Sequence, residues 1–460
     1  MAGIGFSLRK MMARETLSGT ARTYLYAAMI SSGPLVLSIF GILIVGLLSL
    51  PIVDHQQSII QFQVSVTYLI ALSLILTGPL QLLFTRFVSD RIFEKRFDLV
   101  FSNYNGVTVA TTGVSGLLAY GAVAFGFPHA PLCYRILMSL GFVILSNVWI
   151  AVIFLSSVKQ YRQILLVFAV AYGCTVMFSM GLSRYGLTGL LAGFVLGQAI
   201  LLMGMTTLIY RHYSSDTFIC FDVFNRRYTY PSLAAVGLLF NLGVWLDKFM
   251  FWYMPGTGAP VIGPLHASVI YDLPTFLAYL CVMPGMATFL VRIETDFVEY
   301  YEAFYDAVRS DATLQYINSM RDMMVNSVRA GLYEIIKVQT VVLLLVLAWG
   351  ERALAALKIS VLYMPLLLID VVSASLQVLF LGLLNVFFYL DGRRTVLQLT
   401  AAFVILNGAF TAITLRIGPN AYGYGFALSL LAVVGAAVIL LDRRFASLEY
   451  ETYMLGNQSG

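Results

Sequence analysis

Long apolar stretches, separated by short polar segments, recur along almost the whole chain. A helix needs about 20 mostly apolar residues to cross the hydrocarbon core of a bilayer. We predict twelve such membrane spans, near residues 24–50, 62–85, 104–126, 133–157, 163–183, 187–210, 231–253, 271–291, 335–350, 361–390, 395–415 and 423–441. An even number of spans places both ends of the chain on the same side of the membrane.

The composition supports lipid as the solvent of this fold. Hydrophobic residues make up 60% of the chain, charged residues make up 11%, and the mean hydropathy is +0.85. A soluble domain carries about 25% charged residues, so a soluble core could not bury this much apolar surface. We therefore predict an all-α integral membrane protein. The four cysteines are far apart and the four histidines do not cluster, so we predict no metal site and no cofactor.

The basic residues are distributed unevenly between the two sides of the predicted membrane. Of the 28 lysines and arginines, 22 lie on the side that holds both termini, and five lie on the opposite side. Lysine and arginine are enriched in cytoplasmic loops, so we expect both termini in the cytoplasm and the protein in the bacterial inner membrane. The net charge of +5 then comes from topology anchors, and it does not indicate nucleic-acid binding.

The two halves of the chain resemble each other in short motifs. Gly78-Pro79, Arg86 and Asp90 match Pro284-Gly285, Arg292 and Asp296 at an offset of 206 residues, and Tyr185-Gly186 matches Tyr422-Gly423 at an offset of 237. The change of offset predicts about 31 extra residues in the second half, after span eight. Repeats with an even number of spans are parallel, so we predict two parallel six-helix lobes around a central cavity.

This repeat gives the expected domain organisation. We predict an N-terminal interfacial segment, a first lobe with spans one to six, a cytoplasmic inter-lobe loop, a second lobe with spans seven to twelve, and a cytoplasmic tail. Their boundaries are 1–23, 24–210, 211–230, 231–441 and 442–460.

The extra segment, residues 292–334, predicts a pair of amphipathic helices in the cytoplasm. Apolar residues recur there at helical spacing, with acidic residues between them in the first helix. An acidic helix is a poor ligand for anionic lipid, so the pattern favours a protein partner over simple packing against the chain's own bundle. The residues predicted to dock that partner are Phe297, Phe304, Leu314, Ile317 and Met324.

Charged residues inside the predicted spans are candidates for function, because each costs about 2.5–3.5 kcal/mol on insertion scales. Span seven holds Asp247 and Lys248, and span ten holds Asp370. Sequence neighbours on a helix project about 100° apart, so we expect Asp247 and Lys248 to have separate partners, with Asp370 as the candidate partner of Lys248. These residues either form an interhelical ion pair that locks the second half or line a pathway that couples ion movement to transport.

Neutral polar and aromatic residues in the spans are further candidates for the lining of a substrate pathway. Amides hydrogen-bond sugar hydroxyls and flat rings stack on sugar faces, although aromatic rings also anchor proteins at membrane interfaces. The candidates are Asn147, Trp149, Gln198, Asn241 and Trp245.

The start of the chain resembles the PelG family, the inner-membrane transporters of the Pel exopolysaccharide machinery. The resemblance lies in Met1-Ala2-Gly3-Ile4-Gly5-Phe6, Leu8-Arg9-Lys10, Tyr26-Ala27-Ala28, Ser32-Gly33-Pro34 and the region from Gly78-Pro79 to Arg86. It implies the fold of the multidrug/oligosaccharidyl-lipid/polysaccharide flippase superfamily and an N-acetylgalactosamine-rich polysaccharide as substrate. It also implies three partners: the cytoplasmic glycosyltransferase PelF and the membrane proteins PelD and PelE. It supplies no catalytic residues.

Three other classes of function remain open from the residues themselves. An ion-coupled antiporter or lipid-linked oligosaccharide flippase could use the same scaffold, with Asp247 or Asp370 as the coupling site. A scaffold that only assembles a complex is a second alternative. The third, a membrane-bound enzyme, is disfavoured because the longest soluble segment has about 43 residues, too few for a nucleotide-sugar domain, and because the chain shows no paired catalytic carboxylates.

Overall fold

The computed structural model describes residues 23–30, 38–39, 41–42, 44–46, 56–157, 161–212, 217–225, 229–310, 312–357 and 359–455. The predicted interfacial segment and most of the first predicted span lie outside these residues, although residues 23–30 are helical. The chain divides by its contacts into two compact units. We call Gly33–Asp272 the N-unit, and Met1–Ser32 together with Leu273–Gly460 the C-unit.

The N-unit is built of helices and one short hairpin. Its helices are α1 (Gln56–Phe93), α2 (Phe97–Gly126), α3 (Leu132–Ser157), α4 (Tyr161–Leu182), α5 (Gly186–His212) and α6 (Pro231–Tyr253). Strands β1 (Ala259–Ile262) and β2 (Leu265–Ala267) pair antiparallel after α6. The apolar periodicity of the spans did not predict this hairpin, because its strands are short and closed by glycine and proline turns.

The C-unit starts within α7 (Val269–Leu280), whose first residues belong to the N-unit. It continues through α8 (Met283–Val291), a π-helical turn (Arg292–Phe297), α9 (Val298–Arg309), α10 (Leu314–Ala356), α11 (Met364–Tyr389), α12 (Arg393–Ile417) and α13 (Tyr424–Leu455). The chain is bent by 40° between α7 and α8, and Pro284 and Gly285 lie in the first turn of the second helix.

The observed helices coincide in sequence with the predicted spans from the second to the twelfth. Among the described residues, nine helical segments are long and apolar enough to cross a membrane, and the bent pair of α7 with the segment Met283–Arg309 makes a tenth. One of the nine, Gln163–Arg211, has 49 residues and contains two predicted spans. The all-helical membrane fold with an added amphipathic helix pair is therefore confirmed.

Glycines show that α4 and α5 are two antiparallel spans. A methyl group on Gly189 would lie 1.9 Å from the carbonyl oxygen of Leu182, and one on Gly197 would lie 1.9 Å from the hydroxyl of Thr175. Later residues of α5 therefore contact earlier residues of α4, so the two helices run antiparallel. Because glycine has no side chain, the two backbones can touch. The turn between them uses Gly186 at φ +63°, and the equivalent turn before α13 uses Gly423 at φ +84°, as the predicted repeat requires.

The repeat is also visible in two ion pairs. Arg86 lies 3.1 Å from Asp90 in α1, and Arg292 lies 2.7 Å from Asp296 in the π-helical turn. Both pairs link a residue with the fourth residue after it, at the offset of 206 that the sequence indicated. The predicted lobe boundaries, 24–210 and 231–441, stay a prediction. Among the observed contacts, α6 packs against α1 inside the N-unit, where Gly237 meets the carbonyl oxygen of Gly78.

The segment 292–334 is less separate than predicted. It begins in the π-helical turn and α9, and its second helix does not end before span nine. The second amphipathic helix and span nine both belong to α10, one helix of 43 residues. The two are continuous because residues 334–336 contain no glycine, no proline and no capping residue. The predicted tail is likewise the continuation of α13 as far as Leu455.

The glycine contacts between α4 and α5 generate a test of the fold. We expect Gly193→Ala to destabilise the protein by about 1–3 kcal/mol, the usual cost of overpacking. The added methyl group would lie 2.3 Å from the backbone nitrogen of Ser179, so the helices would have to separate. The measurement is the thermal stability of the purified protein in detergent.

The matched control is Gly173→Ala on α4, where a methyl group meets no atom within 4 Å. Alanine is the better helix former, so this change should be neutral or slightly stabilising. Equal melting temperatures for the two variants would contradict the packing described here.

Candidate functional site

Asp247 and Lys248 are buried near the end of α6 and contact each other directly. The ammonium of Lys248 lies 3.1 Å from Oδ2 and 3.2 Å from Oδ1 of Asp247, and it donates to the carbonyl of Val244 at 3.0 Å. The expectation that these neighbours could not pair was wrong. The four-carbon stem of lysine lets its ammonium turn back toward the preceding residue, so the angle between the two Cβ directions does not decide the contact.

Two residues at the start of α7 complete this cluster. The hydroxyl of Tyr271 donates to Asp247 at 2.6 Å, and the Tyr271 ring stacks on Phe251 with centroids 3.8 Å apart. Asp272 accepts a hydrogen bond from the indole of Trp252 at 2.7 Å and one from the backbone nitrogen of Ser268 at 3.1 Å. Both carboxylates therefore have donors that offset part of the cost of burial.

Aromatic rings surround the cluster within the N-unit. Trp252 lies 4.6 Å from Tyr68, 5.0 Å from Phe249 and 6.3 Å from Trp245, measured between ring centroids. The Tyr68 hydroxyl also bonds with the backbone of His266 on β2. The candidate Trp245 therefore joins the cluster through Trp252, and the hairpin is held against it.

Asp370 on α11 belongs to the C-unit and has a different surrounding. It accepts a hydrogen bond from the hydroxyl of Thr275 at 2.9 Å. Beside it lies a small cavity with room for about one water molecule, lined by Thr275, Ala278, Tyr279, Asp370, Ser373, Ala374 and Phe426. Within the N-unit Lys248 pairs with Asp247, and the expected pairing of Lys248 with Asp370 of the C-unit stays a prediction.

Three of the neutral candidates hydrogen-bond to their own or a neighbouring helix. Asn241 donates to the carbonyl of Gly237 one turn earlier at 2.9 Å. Asn147 donates to Thr112 on α2, whereas Trp149 donates to Ser73 on α1, both at 2.9 Å. Residues 147 and 149 thus point to different neighbouring helices, and they do not line one surface together.

Gln198 on α5 differs from the other neutral candidates. Its side chain is buried on α5 beside the hydroxyl of Tyr172 on α4. Large parts of the first predicted span, from residue 31 to residue 55, lie outside the described residues, so we assign Gln198 no role.

A buried carboxylate that the sequence did not single out lies in the π-helical turn of the C-unit. Glu294 accepts hydrogen bonds from the amide of Asn385 at 2.9 Å and from the hydroxyl of Tyr389 at 3.2 Å. A period of 3.6 residues placed Glu294 among the exposed acids of an amphipathic helix. The π-helical turn has a longer period and turns this residue inward, so the sequence carried no simple signal for it.

Next to Glu294 lies an ion network centred on Arg292. Arg292 pairs with both Asp296 and Glu334, and Glu334 accepts a hydrogen bond from the hydroxyl of Tyr24 at 3.1 Å. This contact links residues 23–30 to α10 within the C-unit. The match of Arg292 with Arg86 in the first repeat was the available signal.

The predicted docking residues lie mostly inside the protein. Phe297, Phe304, Ile317 and Met324 are buried, and Leu314 is exposed. The apolar stripe therefore packs α9 and α10 against their own unit, which corrects its assignment as a partner surface. The exposed face of α9 carries Glu299, Glu302 and Asp306, together with Arg309, which pairs with Asp306.

Comparison with solved structures gives the same fold as transporters of the MOP superfamily. A structure titled as MATE in the straight conformation has a TM-score of 0.64 and 10% identity, covering 93% of this chain and 96% of its own. An outward-facing multidrug resistance MATE family transporter of the MOP superfamily has a TM-score of 0.63 and 12% identity, covering 92% and 96%. A MOP superfamily transporter from Pyrococcus furiosus Vc1 has a TM-score of 0.60 and 11% identity, covering 92% and 96%.

Comparison of the sequence with curated proteins gives no match. The sequence model of one family, PelG, "Putative exopolysaccharide Exporter (EPS-E)", matches residues 1–453. This match covers almost the whole chain, including every helix described above except the last two residues of α13. The chain belongs to the PelG family.

Proposed function

We propose that this protein exports an N-acetylgalactosamine-rich exopolysaccharide, the Pel polymer, across the bacterial inner membrane. The observation that carries the proposal is the match to the PelG exporter family over residues 1–453 on a chain with a MOP-type transporter fold. The polymer would pass between two lobes as it is made in the cytoplasm. Both termini would lie in the cytoplasm, in keeping with the 22 basic residues on that side.

The buried polar groups support a polymer without net charge as the substrate. Lys248 is neutralised by Asp247, and the acids Asp272, Asp370 and Glu294 accept hydrogen bonds from neutral donors. Each of these groups therefore has a hydrogen-bonding partner within its own unit. Aromatic rings and neutral hydrogen-bonding groups remain, and they suit the faces and hydroxyls of sugars.

The proposal includes PelF, PelD and PelE as partners. Because the apolar stripe of α9 and α10 is buried, the surface open to a cytoplasmic partner is the acidic face of α9. Glu299, Glu302 and Asp306 lie on that face at helical spacing, so the complementary partner surface would be basic.

A second candidate function, an ion-coupled antiporter, is favoured by one observation. Asp370 faces a small cavity beside a neutral donor, Thr275. A carboxylate in such a place could exchange a proton or a cation during a transport cycle.

The proposed function is tested in vesicles that hold the full chain and its synthase. With the nucleotide-sugar donor added outside, on the cytoplasmic face, we expect polymer that is protected from an added glycoside hydrolase inside the vesicles. Vesicles that hold the synthase alone should leave the polymer open to the hydrolase. Equal protection with and without this chain would show that it does not carry the polymer.

The antiporter alternative is tested with Asp370→Asn in the same vesicles. The asparagine oxygen can still accept the hydrogen bond of Thr275, so the change removes the charge and keeps the contact. We expect polymer protection within about twofold of the wild type, whether or not a proton gradient is imposed, because the hydrogen-bonded surroundings are unchanged. The control is Asp442→Asn, which removes an exposed acid that pairs with Arg329.

A loss of about tenfold or more for Asp370→Asn, together with loss of any dependence on the gradient, would favour the coupled alternative. The same loss for both variants would indicate a general loss of folded protein, which the amount of protein recovered after solubilisation would reveal.

The neutralisation of Lys248 by Asp247 makes a separate prediction. We expect Lys248→Met to destabilise the protein by about 3–5 kcal/mol, because it leaves a buried carboxylate without its cation. The double variant Asp247→Asn with Lys248→Met should lose much less. Thermal stability of the two purified variants checks this, and a double variant as unstable as the single one would contradict the ion pair.

A further inference from the structure

The cytoplasmic segment after α5 carries an exposed cluster of large apolar side chains. We call residues 217–224 the Phe loop. Four of its residues, Phe218, Ile219, Phe221 and Phe224, are exposed by 63%, 43%, 51% and 48%. Contiguous exposed apolar groups of this kind usually mark a protein or membrane contact.

The Phe loop has a fixed conformation because α2 hydrogen-bonds to its backbone. The amide of Asn105 donates to the carbonyl of Phe218 at 2.9 Å, the backbone nitrogen of Cys220 donates to the carbonyl of Ser102 at 3.0 Å, and the backbone nitrogen of Val223 donates to the Asn103 side chain at 2.9 Å. The three α2 residues are buried. These three hydrogen bonds fix the loop backbone against α2, while Phe218, Ile219, Phe221 and Phe224 keep much of their side-chain surface exposed.

A glycine makes this close contact possible. A methyl group on Gly106 would lie 2.0 Å from the carbonyl oxygen of Cys220. Any side chain at this position would push the loop from the helix. Gly106 and the polar residues of α2 thus form one surface that positions the Phe loop.

The depth of this contact follows from the length of α2. The predicted span on α2, residues 104–126, measures about 35 Å at about 1.5 Å per residue, slightly more than the hydrocarbon core of about 30 Å. Ser102 and Asn105 therefore lie close to the end of this span, at the boundary between the hydrocarbon and the headgroup layer. The Phe loop is held at the level where the membrane meets water.

The side of α2 that holds the loop is continuous with a lipid-facing stripe. Further along the same helical face lie Val109, Gly113, Leu117 and Tyr120, all exposed. The stripe is mainly apolar, as expected for contact with hydrocarbon. Three arginines, Arg211, Arg226 and Arg227, flank the loop in sequence, against Asp216 before it and Asp222 within it. The stretch 211–227 therefore has a net charge of +1 (three arginines minus two aspartates), and its arginines complement anionic headgroups.

We propose that the Phe loop is a preformed membrane anchor that inserts its exposed apolar side chains into the headgroup layer of the cytoplasmic leaflet, with anionic phospholipid as its ligand. The anchor fixes the depth of α2 and of the segment that connects α5 with α6. This role is independent of the substrate that the protein carries.

The test uses the full chain with its four cysteines replaced and with Phe221→Cys carrying an environment-sensitive fluorophore. The protein is reconstituted in vesicles of phosphatidylcholine and phosphatidylglycerol, with brominated acyl chains as quenchers from the lipid and iodide as quencher from water. We expect bromine quenching at least about twofold stronger than at Ser319→Cys, an exposed position of α10, and weaker iodide quenching. More phosphatidylglycerol should strengthen the bromine quenching.

Two quenching results would contradict the proposal. Iodide quenching equal to that at Ser319→Cys, without bromine quenching, would overturn the proposal and indicate that the Phe loop faces the cytoplasm, where a protein would be its ligand. Quenching that does not respond to phosphatidylglycerol would overturn the assignment of anionic lipid.

Two glycine variants test whether α2 positions the loop. Gly106→Val should displace the loop, so the bromine quenching at position 221 should fall and the iodide quenching should rise. Gly113→Val lies on the same helix, where a side chain meets no atom within 4 Å, and it should leave both values unchanged. Unchanged quenching in Gly106→Val would contradict the preformed geometry.

Discussion

The structure depends on one constraint: a polar group inside the hydrocarbon must find its partner within the protein. Backbone groups meet this constraint through helices. The side chains meet it by contacts between helices or with a near neighbour, as when Trp252 donates to Asp272 and Thr275 donates to Asp370. Lys248 meets it through the residue beside it. The charged side chains that the sequence singled out in the spans therefore have partners within the protein.

The apolar stretches predicted the fold well because hydrophobic length is a direct consequence of bilayer thickness. For the same reason, the length of an apolar stretch says little about where a helix ends outside the membrane. The 43 residues of α10 combine an amphipathic helix with a span, since nothing between residues 334 and 336 stops a helix. The hairpin of β1 and β2 is too short to show an alternating pattern, so the sequence did not indicate it.

The candidate site was harder to predict because a helical period gives directions and does not give contacts. It placed Asp247 and Lys248 on different faces, but the long lysine side chain joins them. The same period placed Glu294 with the exposed acids, and a π-helical turn buries it. It identified the apolar stripe through Phe304 and Met324 correctly as one face. That face could serve a partner or the chain's own core, and burial decides for the core.

Glycine has two different uses in this protein, and the difference links the fold to its surfaces. Gly189, Gly193 and Gly197 remove side chains where two spans touch, so they tighten the interior of the N-unit. Gly106 removes a side chain where α2 leaves the hydrocarbon, and the backbone of the Phe loop takes that space. The second use does not increase the apolar core. It holds four large apolar side chains outward at the membrane surface, an arrangement that stability of the isolated protein does not require and that contact with a surrounding phase would explain.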